Sequence, residues 1–80
     1  MTDVQENIQV AMLFRGQDVR PGAFLWNGRR YEVVRILLVH KTRIGEDLQW
    51  HFTVQMVGEG SAKLIFDTVS LNWQLEAISI

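Results

Sequence analysis

The stretch Leu48-Gln49-Trp50-His51-Phe52-Thr53-Val54-Gln55-Met56-Val57 alternates with a period of two. Leu48, Trp50, Phe52, Val54 and Met56 fall on one side, and Gln49, His51, Thr53, Gln55 and Val57 on the other. Successive side chains of a β-strand point to opposite faces, so this is the pattern of a half-buried antiparallel strand. The same period continues toward both ends of the chain. Ile8, Val10, Met12 and Phe14 alternate with Gln9, Ala11 and Leu13, while Ala62, Leu64 and Phe66 alternate with Lys63, Ile65 and Asp67. Trp73, Leu75 and Ala77 share one side of the last segment. No ten-residue stretch carries a helical stripe.

Turn residues separate these segments. Asn27-Gly28 lies between Phe24-Leu25-Trp26 and Tyr31-Glu32-Val33-Val34. A type I′ turn needs positive φ at both central residues, which Asn and Gly tolerate best, so a two-residue hairpin is expected there. Ile44-Gly45-Glu46-Asp47 and Gly58-Glu59-Gly60-Ser61 supply the next two turns. Arg20-Pro21-Gly22 is expected to break the first strand from the second, because proline lacks a ladder donor. Six strands follow, at about 7–15, 23–26, 29–41, 48–57, 62–68 and 72–79. Residues 1–6 read as a flexible lead. Short connections make an antiparallel meander the default.

The third strand changes phase. Tyr31 and Val33 fit one face, and Val34, Ile36 and Leu38 fit it afterwards, which predicts a β-bulge near Val33-Val34-Arg35. A long bent strand shared by two halves of a sheet suggests an all-β, SH3-like or OB-like small barrel. The alternative is a strongly curled, half-open sheet that dimerises. In that phase Leu37 and Val39 face outward, as do Val57 and Ile65 on their own strands. Adjacent outward aliphatics make an association surface, and a homodimer or a docked protein partner is the expected occupant.

With 80 residues, 48% hydrophobic and 21% charged, the sequence supports one small domain and one core. It has no cysteine, which removes disulfides, thiolate metal sites and a thiol nucleophile, and suits a reducing cytoplasm. Its apolar runs, Ile36–Val39 among them, are far too short to span a membrane. Catalytic patterns are thin. There is no Gly-x-Ser-x-Gly elbow, and no glycine-rich loop opens a helix. His40 and His51 bracket the turn that holds Glu46 and Asp47, but their phases place them on opposite faces, so neither a metal nor any other cofactor is expected. No small-molecule ligand is evident either.

Charge is unevenly distributed along the chain. Residues 15–43 hold seven cations against two carboxylates, a net +5, whereas residues 44–80 hold one cation against five carboxylates, a net −4. Trp26, Arg29, Arg30, Arg35, Lys41 and Arg43 therefore form the candidate nucleic-acid site, because phosphates favour clustered cations beside accessible aromatics. Complementary pairing across neighbouring strands is the structural alternative.

The run Phe24-x-Trp26-x-Gly28-Arg29-Arg30-Tyr31-x-Val33, followed by Trp50-x-x-x-Val54, Leu64-x-Phe66-Asp67 and Trp73-x-Leu75, resembles a small bacterial domain family of unknown function. The likeness covers about residues 21–78 and implies a compact all-β domain without an assigned activity. Some members of that family are encoded beside DNA-repair polymerases, which keeps nucleic acid among the partners to consider. Ile36-Leu37-Leu38-Val39 departs from the family's usual form and adds weight to association. The expected function is thus a non-enzymatic, cytoplasmic interaction domain, with accessory nucleic-acid binding as the alternative.

Overall fold

A computed structural model of the chain describes residues 1–16, 18–58 and 60–80. Six strands follow one another: β1 (Thr2–Arg15), β2 (Asp18–Trp26), β3 (Arg29–Ile44), β4 (Asp47–Met56), β5 (Ser61–Asp67) and β6 (Trp73–Ser79). Each pairs antiparallel with the next, and β1 also pairs with β6, so the meander closes into a barrel. Closure settles the choice between barrel and half-open sheet. Among the described residues, no helix is long and apolar enough to cross a membrane.

The alternating residues of β4, β5 and β6 build the core. Phe52, Val54 and Met56 meet Ala62, Leu64 and Phe66, with Trp73, Leu75 and Ile78 behind them and Phe24 arriving from β2. Phe66 and Trp73 rings lie 4.9 Å apart and Phe24 stacks on Tyr31 at 5.2 Å. Such aromatic pairs add about 0.5–1.5 kcal/mol each beyond the area they bury. The Asn27-Gly28 turn has the expected positive φ at both residues, 56° and 77°. Gly45 and Glu46 make the turn between β3 and β4. Gly58 and Gly60 lie in the next turn, whose Glu59 is outside the described residues.

Two strands run further than their sequence suggests. β1 begins at Thr2, and the residues read as a flexible lead pair with β6 through Thr2 opposite Ile78 and Asp3 opposite Ala77. β2 runs straight through Pro21-Gly22, where Ala11 faces Ala23 but Met12 faces Pro21. Proline here sits in a bulge, a place where its missing donor is tolerated, instead of ending the strand. A Cβ on Gly22 would lie 3.1 Å from the Leu13 Cγ, a tight contact with the end of an exposed side chain.

β3 carries two bulges. The first lies where expected: Val33 faces Met56 and Arg35 faces Gln55, which leaves Val34 as the extra residue and exposed. The second, between Ile36 and Leu38, makes Leu37 extra and reverses the phase again. Leu38 therefore faces Thr53 on the outside and is 57% exposed, while Val39 turns to the Phe52 side. The inward placement of Val34 and Leu38 and the outward placement of Val39 are corrected accordingly. Phe14, which shares its strand face with Ile8, Val10 and Met12, is 72% exposed because the β1–β2 hairpin reaches beyond the core.

Candidate functional site

The barrel opens where β2 and β3 part. The two strands pair only from Ala23 opposite Glu32 to Trp26 opposite Arg29. Beyond Glu32, β3 keeps β4 on one edge, from Val33 opposite Met56 to Ile44 opposite Asp47, and among the described residues has no strand partner on the other. The first half of β2 meanwhile follows β1. Between them lies a groove of about 480 Å³ with Asp18, Val19 and Arg20 on one bank and residues 36–39 and Lys41 on the other. Trp50 and Phe52 form its floor.

Lys41 stands directly opposite Trp50, and its ammonium lies 4.6 Å from the indole centroid. The pair follows from the second bulge, which puts Lys41 in the inward phase where β3 has already parted from β2. Trp50 Nε1 is buried without a hydrogen-bond partner among the described residues.

The sequence-derived association residues do not form one stripe. Leu37 and Val39 line the groove, Leu37 as the bulged residue and Val39 on the Phe52 side. Ile65 sits opposite His51 on the outer face, and Val57 follows the far end of β4, where its N–H donates to Glu32 O.

The cationic set is also divided. Arg29 and Arg30 flank the Asn27-Gly28 turn at one end of β3, whereas Lys41 and Arg43 lie near its other end. Arg30 faces Leu25 and approaches Glu32 at 3.7 Å, and Arg35 faces Gln55 on the outside. Trp26 is half-buried, packs against the core beside Tyr31, and donates its indole N–H to Glu6 at 3.3 Å. Arg20, which lines the groove together with Lys41, was not singled out from the sequence. The parting of β2 from β3 reveals it.

The histidines come together against expectation. The second bulge puts His40 on the outer face directly opposite His51, where the rings stack 4.6 Å apart and within 10° of parallel. Thr42 Oγ1 and His51 Nε2 are 2.8 Å apart. Burial, and then the neighbouring His40, hold the His51 pKa below the ordinary 6.5, while Glu76 acts the opposite way. Asp67 accepts from the backbone N–H groups of Val69 and Ser70 at 2.8 and 3.1 Å. Those donors, Ser70 first, hold its carboxyl below 3.8. Asp67 fixes the turn into β6 and faces no groove cation.

No protein-family model, curated protein or solved structure matches the chain.

Proposed function

We propose that this barrel is a non-enzymatic interaction domain that takes an extended, acidic segment of a protein partner onto the free edge of β3. The carrying observation is that edge: among the described residues, 34–44 pair with β4 on one side and with no strand on the other, and they border a groove floored by Trp50 and Phe52. A strand with unpaired N–H and C=O groups is a template for another strand. Strand addition gains affinity from main-chain hydrogen bonds and specificity from the side chains beside it.

Charge selects the occupant. Residues 34–44 hold Arg35, Lys41 and Arg43 and no carboxylate, and Arg20 stands across the groove. Two copies of this strand paired antiparallel bring six cations and no carboxylate together, and the registers that set Arg35 opposite Lys41 or Arg43 place like charges face to face, which opposes self-association along β3. An incoming strand with acidic residues on its inner face meets Lys41 and Arg43, which share that face of β3, and its main chain covers the edge beside Leu37 and Val39. The acidic requirement therefore favours a different protein over a second copy.

Fluorescence anisotropy with a labelled peptide alternating Val and Glu, beside its Val and Lys counterpart, tests the reading. The acidic peptide is expected to bind in the micromolar range, to weaken as salt rises, and to lose about tenfold with Lys41→Glu plus Arg43→Glu. Equal binding of both peptides contradicts the proposal. A single-stranded oligonucleotide that binds more tightly than the acidic peptide assigns the cations to phosphates instead. Light scattering at low micromolar concentration is expected to give the 9.3 kDa monomer. A dimer would place a second copy in the groove.

A further inference from the structure

We infer that His40 and His51 form an open, two-ligand site for a divalent transition-metal ion on the outer face of the β3–β4 hairpin. The inference does not rest on the peptide groove, whose floor of Trp50 and Phe52 lies on the inner face.

The geometry is specific. The two residues are direct cross-strand partners, so their Cβ atoms are held at a fixed short separation by the ladder on either side. Their rings are nearly parallel, 4.6 Å between centroids. A metal bound at about 2.0–2.1 Å from each nitrogen needs the two donor atoms roughly 3 Å apart. To hold one ion the rings must leave their parallel stack and turn the two lone pairs toward a common point, which rotation about the side-chain torsions supplies. His40 is exposed and free to tilt.

His51 is already oriented. With the proton on Nε2, that nitrogen donates to Thr42 Oγ1 and Nδ1 presents its lone pair. A hydrogen bond from the second ring nitrogen is how metal-bound imidazoles are generally fixed in tautomer and direction. The adjacent outer-face positions are Leu38 and Thr53 on one side and Thr42 and Gln49 on the other. Ile65 lies opposite His51 on β5. None of these carries a positive charge.

Neutral imidazole suits zinc, copper and nickel over magnesium and calcium, which prefer oxygen. Among the described residues no third His, Cys, Asp or Glu joins the pair within ligand reach. Two protein ligands leave the remaining positions to water, so the site is an open one with modest affinity.

The test is a titration of the full chain with Zn²⁺ at pH 7.5, followed by calorimetry and by the imidazole C–H signals in NMR. One ion per chain is expected, with a dissociation constant between about 1 μM and 1 mM and with the signals of both histidines shifted. His40→Ala changes an exposed side chain, so the fold is expected to survive by circular dichroism while affinity falls at least about tenfold. His51→Gln is expected to do the same. Zn²⁺ binding undiminished in His40→Ala, or no saturable binding by the wild type up to about 1 mM, overturns the inference.

Discussion

Lys41 covers Trp50: the two are cross-strand partners, and the ammonium sits 4.6 Å above the indole. The residue is cationic yet points to the side from which Phe52, Val54 and Met56 fill the core. It can do so because β3 has left β2 by that point and the inner face opens to solvent. The groove and the free edge are two consequences of one parting of strands.

Replacing Lys41 by Met keeps a flexible apolar stem over Trp50 and removes the charge. Loss of a partly exposed cation–π contact is expected to cost about 0.5–1 kcal/mol. Urea denaturation measures it. Lys41→Ala uncovers the ring as well, and its tryptophan emission is expected to shift to the red.

Ile36 and Leu38 separate the one-bulge from the two-bulge course of β3. Ile36 packs against the core and Leu38 is exposed. Ile36→Ala is therefore expected to cost about 2 kcal/mol or more, and Leu38→Ala less than about 0.5 kcal/mol, by chemical denaturation. Equal costs contradict the second bulge.

Gly60 leaves no room for a side chain. A Cβ there would lie 2.7 Å from Met56 Cε and 2.8 Å from the Ser79 carbonyl oxygen. The methionine end can move, but the backbone oxygen belongs to β6 and cannot yield cheaply. Gly60→Ala is expected to destabilise by about 1–3 kcal/mol, seen as a lower thermal midpoint.

His51 makes stability depend on pH. In the metal-free protein its pKa lies below 6.5 through burial and the facing His40, opposed by Glu76. Above pH 6.5 the ring is neutral in both the folded and the unfolded chain. As pH falls through 6.5 the unfolded chain takes up the proton first, so stability declines until the folded pKa is passed. Denaturation midpoints should thus fall between pH 7 and pH 5, and His51→Gln should flatten that slope.

Much of the barrel was legible because its signals are local. Alternation in β4, β5 and β6 is a property of each strand alone, and Asn27-Gly28 specifies its turn without help from neighbours. The first bulge could be read because Tyr31, Val33 and Glu32 fix a phase before it. The second could not. Ile36-Leu37-Leu38-Val39 is aliphatic at every position, so no polar residue records which side faces water. That silence reversed Leu38 and Val39 and hid the meeting of His40 with His51. The groove was equally invisible, since it depends on where β3 leaves β2, and an unmade strand pair has no sequence pattern of its own.

The central claim is that residues 34–44 present a free strand edge to an acidic segment, and amide chemical-shift mapping tests it most directly. The isotope-labelled protein is titrated with the Val and Glu peptide while its backbone N–H signals are followed. The largest shifts are expected in β3 from Val34 to Ile44, with smaller ones at Asp18, Val19 and Arg20 across the groove. Shifts confined to the Asn27–Arg30 turn or to the β5–β6 face, with β3 unmoved, would contradict it.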